Sequence, residues 1–114
     1  MSKYLILLYG GHDSMSRLSP EEAQAHMGEW RTWMGDLLKE GLLIGGNPLT
    51  REGRVLKGQE GTVVKDGPYA ETKEAVAGYV MINANSLDHA AEISRGCPGL
   101  KVGTDVEVRP IAEM

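Results

Sequence analysis

Residues 3–9, Lys-Tyr-Leu-Ile-Leu-Leu-Tyr, are apolar at almost every position rather than at every second one. Such a run predicts a strand that is dry on both faces. A loop opens at Gly10-Gly11-His12-Asp13, and beyond it the period changes. Ala23, Met27, Trp30, Met34, Leu37 and Leu38 recur at helical spacing and mark one apolar face. Ahead of that face, Ser19 is the N-cap, Pro20 takes the first helical position, and Glu22 completes a capping box. Gly41 is a natural stop, so the spacing predicts a helix of about 20 residues, ~30 Å long. Leu42-Leu43-Ile44 reads as a second strand that ends in Gly45-Gly46-Asn47-Pro48. Arg54-Val55-Leu56 and Thr62-Val63-Val64 read as a hairpin turning through Gly58 to Gly61. Gly78 to Asn83 is a further strand centred on Val80-Met81-Ile82. Ser86 caps a second helix with Leu87, Ala90, Ala91, Ile93 and Ser94 inward, and Gly96-Cys97-Pro98 ends it. From Asp105 to Pro110 charged residues alternate with Val106 and Val108, giving a strand with one wet face.

The predicted order is β-α-β-(ββ)-β-α-β, an α+β fold of the ferredoxin-like split type with an inserted hairpin. The 114 residues fit one domain, 1–114. Two helices cover one face of a sheet, but the first strand asks for both faces to be dry. No third long helix is available, so a second copy of the sheet is the economical cover. Counting faces therefore predicts a homodimer, with two sheets packed face to face as a barrel.

Composition narrows the function. Apolar residues make up 41% of the chain, enough for a core. Net charge is −4 without a Lys/Arg cluster, which disfavours a nucleic-acid partner because such binding depends on phosphate neutralisation. The longest apolar runs are far short of the ~20 residues that span a bilayer, and the N-terminus lacks a leader pattern. The single Cys97 has no partner for an internal disulfide. No membrane association and a cytoplasmic location are therefore expected.

The densest chemistry lies in Asp66-Gly67-Pro68-Tyr69-Ala70-Glu71-Thr72-Lys73-Glu74. A stiff Gly-Pro turn is surrounded by acids, a phenol, a hydroxyl and an amine. The segment resembles the signature of the DGPF family of YCII-related proteins, with Tyr69 in place of its Phe. Similar features are the opening Lys3–Gly10, Ser19-Pro20-Glu21-Glu22, Gly45-Gly46-Asn47-Pro48-Leu49, Gly78-Tyr79, Cys97-Pro98 and Val106–Pro110. The likeness runs through nearly the whole chain in order. It implies a small dimeric α+β barrel, and for most members no settled reaction.

Each candidate residue has a bland reading beside the chemical one. Asp66 is either a general base, or the orienter of one, or simply an Asp bonding the backbone ahead of a turn. Tyr69, Glu71, Thr72 and Lys73 either bind and polarise a ligand or knot the loop together. His12 suits proton transfer, or else is an exposed loop histidine. His26 borders the apolar face of the first helix one turn before Trp30. It either enters a pocket or pairs with Glu22 or Glu29. No motif of this chain carries the His/Asp pair proposed for YCII-type proteins. His89 reads as solvated, Trp30 and Trp33 as core, and Cys97 as a packed thiol. No metal-ligand spacing and no phosphate-cradling Gly motif is present, so neither a metal nor a cofactor is expected.

The expectation is a small-molecule cleft between sheet, first helix and the Asp66–Lys73 loop. Asp66, or His12 oriented by it, would move a proton in an elimination or isomerisation of a small polar ligand, while Tyr69 and Lys73 stabilise negative charge. The alternative is a non-catalytic accessory or sensor acting with a regulator such as an extracytoplasmic-function sigma factor, as the resemblance suggests. Against it, the solvent face of the first helix (Glu29, Thr32, Asp36, Lys39) lacks an apolar stripe.

Overall fold

A computed structural model of the chain describes residues 1–10, 15–67 and 75–114. Strand β1 (Ser2–Tyr9) occupies the interior of a four-stranded antiparallel sheet. The other strands are β2 (Leu43–Pro48), β5 (Val76–Ala84) and β6 (Asp105–Pro110), in the order β2-β5-β1-β6. Strands β3 (Arg54–Lys57) and β4 (Val63–Asp66) form a separate hairpin. With helices α1 (Pro20–Lys39) and α2 (Leu87–Ser94), the chain has the expected α+β order and the ferredoxin-like split arrangement with its insertion.

Both helices lie on one face of the sheet. Tyr4, Ile6 and Leu8 of β1 point to that face, as do Val80, Ile82 and Ala84 of β5, and Leu37 of α1 and Ala90 of α2 pack onto them. Ile6 and Ile82 reach zero exposure. Register places Val106 opposite Leu8 and Val108 opposite Ile6, so the apolar half of β6 joins the same core. The other face of β1, Leu5, Leu7 and Tyr9, is only half-buried in the single chain.

Helix α1 begins as its sequence dictates. Ser19 Oγ accepts from the Glu22 N–H, and Glu22 Oε1 accepts from the Ser19 N–H, each at 3.1 Å. Its buried stripe is turned from the expected one: His26, Trp30, Trp33, Met34 and Leu37 face inward, whereas Met27 and Leu38 are exposed. The stripe follows the row of residues three and four apart that rests on the sheet, and Met27 and Leu38 fall at its margins. In α2 only Ala90 and Ser94 are buried, with Ile93 partly so, while Leu87 and Ala91 face out.

Most boundaries shift from the reading of the sequence by one or two residues, and two differ more. The Gly45-Gly46-Asn47-Pro48 run does not end β2 but belongs to it. A Cβ on Gly46 would meet the Tyr79 carbonyl oxygen at 2.7 Å, so the missing side chain is what lets β2 lie close against β5. Cys97-Pro98 does not merely end α2: Pro98–Val102 forms a 3₁₀ turn closed by Gly103 in the left-handed region. Among the described residues no helix is long and apolar enough to cross a membrane.

Candidate functional site

Between α1, strands β2 and β5, and the Pro98–Val102 turn lies a cavity of about 420 Å³. Its lining is mostly apolar: Leu8 and Val80 from the sheet, Met27, Trp30 and Met34 from α1, and Met15 from the preceding short turn. Gly46 forms part of the floor, where the absence of a side chain leaves room. Asn47 and Tyr79 also border it, but strand alternation sends their side chains to the opposite face. There Asn47 Nδ2 donates to Tyr79 Oη at 3.3 Å. The polar side chains that the described elements bring to the cavity wall from its own side are therefore His26 and Thr104, both buried.

His26 is held by its own helix. The Trp30 Nε1–H donates to His26 Nε2 at 3.0 Å, and the two rings meet edge to face at 88°. Trp30 in turn packs edge-on against Trp33 at 5.6 Å between ring centroids. The two acids within helical reach of His26 are engaged elsewhere: Glu22 caps the helix, and Glu29 accepts from Lys101 Nζ at 3.0 Å. Of the two readings given to His26, pocket residue or ion-pair partner, the geometry favours the pocket.

Asp66 ends β4, directly across from Arg54. Its carboxylate lies 3.4 Å from the Arg54 guanidinium and is 93% exposed. Asp66 does not line the described cavity. The corner after it is tight, since the Gly67 N–H donates to the Gly53 carbonyl at 2.9 Å and a Cβ on Gly67 would meet the Gly53 backbone at 3.0 Å. Among the described residues the Pro98–Val102 turn supplies one wall of the cavity. His12, Tyr69, Glu71, Thr72 and Lys73 lie outside the described residues.

Other candidates settle into structural roles. His89, read as solvated, accepts from the Asn85 backbone N–H through Nδ1 at 2.9 Å and so helps to seat α2. Cys97 is buried at the start of the 3₁₀ turn, and burial raises its thiol pKa, as suits a packed rather than reactive group. Among the described residues no three His, Cys, Asp or Glu side chains gather where they could hold a metal ion. Sequence reasoning missed Thr104 and the role of Trp30. The second had a signal, the four-residue spacing of His26 and Trp30 on one helix face. Thr104 had none, because it is placed by a 3₁₀ turn that the pattern does not announce.

The family model of the YCII-related domain matches residues 2–114. An uncharacterised protein of Rhizobium meliloti (strain 1021) is 32% identical over 116 aligned residues, covering 96% of this chain and 91% of that protein. Among solved structures, the 5-chloro-2-hydroxyhydroquinone dehydrochlorinase of Burkholderia phenoliruptrix AC1100, in complex with 2,5-dihydroxybenzoquinone, aligns over 98% of this chain and 95% of its own. That similarity is at 15% identity and a TM-score of 0.48.

Proposed function

From the premise that the chain belongs to the YCII-related family, we propose that it is a homodimeric enzyme that binds a compact, mostly apolar molecule in the α1 cavity and acts on it without a cofactor. The reaction class is proton transfer leading to elimination or isomerisation. One observation carries this reading: a buried histidine on the wall of a mostly apolar cavity of about 420 Å³. Buried histidines amid apolar side chains in a concave site are the usual equipment for binding and polarising a small molecule. The cavity also revises the substrate class from polar to largely apolar with one or a few polar atoms.

His26 binds and polarises the ligand's polar atom, and Asp66 or His12 is the base that removes the proton. Tyr69, Glu71, Thr72 and Lys73 complete the polar side of the site. Because the Asp66 carboxylate is exposed and does not line the cavity of its own chain, its place in the reaction depends on the β3–β4 hairpin reaching a second copy.

The test uses 2-tetralone, an apolar bicycle with one carbonyl and acidic α-hydrogens. Binding is expected to change tryptophan fluorescence, since Trp30 lines the cavity. Proton-to-deuterium exchange at the α-carbon, followed by NMR in D2O, is expected to run faster with the protein and to slow in His26→Leu and in Asp66→Asn. Binding without accelerated exchange would leave a binding protein rather than an enzyme. Unchanged exchange in Asp66→Asn would remove Asp66 as the base.

A further inference from the structure

The indole of Trp30 is a hydrogen-bond donor and offers no acceptor. Its Nε1–H meets His26 at Nε2, 3.0 Å away. Nε2 must therefore present a lone pair, and the proton of the neutral ring resides on Nδ1. Trp30 engages Nε2 within α1, so Nδ1–H is the donor that His26, a residue of the cavity wall, can offer to a ligand. We propose that His26 serves this cavity as a neutral Nδ1–H donor, held in that tautomer by Trp30, and that the cavity selects apolar molecules bearing a carbonyl or similar acceptor oxygen over molecules of equal shape without one. The ligand preference deepens the function proposed above and rests on it; the tautomer does not.

The selection follows from the surroundings. Leu8, Met27, Met34 and Val80 offer the donor no acceptor side chain, and the acceptor on the cavity's own side of the wall is the Thr104 hydroxyl. An apolar ligand that fills the space but lacks an acceptor shuts Nδ1–H away from water without a partner, whereas a carbonyl satisfies it. The same donor suits an oxygen that gathers negative charge while a neighbouring C–H proton passes to a separate base. Trp30 is thus a positioning residue, acting through His26 rather than on the ligand's reacting atoms.

His89 provides an internal reference. Its Nδ1 accepts from the Asn85 N–H, so its neutral ring carries the proton on Nε2, the opposite tautomer. Long-range ¹H–¹⁵N correlation on histidine-labelled protein at pH 8 is expected to show Nδ1–H for His26 and Nε2–H for His89, with His26→Leu identifying the His26 signals. In Trp30→Phe the His26 signals are expected to move toward a mixture of tautomers. Ligand selection is read by ¹⁹F NMR with 4-fluoroacetophenone and its near-isostere 4-fluoro-α-methylstyrene. The ketone is expected to bind about five- to tenfold more tightly to the wild-type protein, and the ratio to fall toward one in His26→Leu. An Nε2–H signature for His26 in the wild-type protein would overturn the tautomer assignment without need of any variant. Equal affinities would overturn the selection. If neither probe binds, the small-molecule function and the selection fall together, while the tautomer measurement on the free protein still decides the role of Trp30.

Discussion

Glu22 is exposed on the first turn of α1, and its two hydrogen bonds with Ser19 fix where that helix starts. They thereby fix which residues of the helix face the sheet, His26 among them. The Ser19 backbone N–H, followed by the Ser19 side chain, holds the Glu22 carboxyl below its ordinary value of 4.5. A carboxylate whose folded pKa is depressed adds stability above its unfolded pKa and loses it as pH falls through the folded one. Melting temperature measured from pH 6 down to pH 3 is therefore expected to drop less steeply in Glu22→Gln than in the wild-type protein. Equal slopes would show that the cap contributes no charge-dependent stability. This cap was legible in the sequence because its three residues are neighbours in the chain. The His26–Trp30 bond was legible only as a spacing, since periodicity tells that two side chains share a face but not which atoms meet.

Among elements, β2 is where local reading failed. Gly-Gly-Asn-Pro has the composition of a turn, and only its partner strand explains why it is extended. Gly46 is required by the Tyr79 carbonyl at 2.7 Å and by Val80 Cα at 3.1 Å, atoms over thirty positions away in sequence. Gly46→Ala is expected to destabilise the fold by about 1–3 kcal/mol, as overpacking of a close contact does. Because Gly46 also floors the cavity, the variant is expected to weaken 2-tetralone binding as well; urea denaturation and fluorescence titration check the two effects. The elements read correctly, α1, α2, β1, β5, β6 and the hairpin, are those whose signals are local: caps, apolar runs, alternation and turn glycines. The 3₁₀ turn at Pro98–Val102 was missed for the converse reason. It is too short to show a period, and its Gly99 is fitted to Thr104, where a Cβ would come within 3.1 Å. The Asp66-Gly67-Pro68 run marked the tight corner at Gly67, whereas the described cavity is built from residues whose signals are apolar and dispersed.

The whole molecule is a slab of 44 × 43 × 18 Å, one layer of helices on one sheet. It exposes 7924 Å², where a compact monomer of 12.4 kDa exposes about 6,100 Å². Its radius of gyration is 15.6 Å, against about 13.3 Å for a compact domain of this length. Among the described residues, two features add to it: the helix-free sheet face carrying Leu5, Leu7 and Met81, and the β3–β4 hairpin, where Leu56, Val63 and Val64 are exposed. A lone two-stranded hairpin is marginal in water. These features support the proposed homodimer. Leu7→Glu is expected to shift sedimentation from dimer to monomer, with α1 and α2 retained by circular dichroism. A monomeric wild-type protein at micromolar concentration would remove the dimer. With the sheet paired as proposed, β5 divides two compartments: Val80 looks into the cavity while Tyr79 and Met81 look toward the second chain. The partition between guest and twin is then a single peptide thick, and any coupling across it is reciprocal: a guest that changes the affinity of the twin has its own affinity changed by the same factor, so that diluting the protein would tune its grip on the guest.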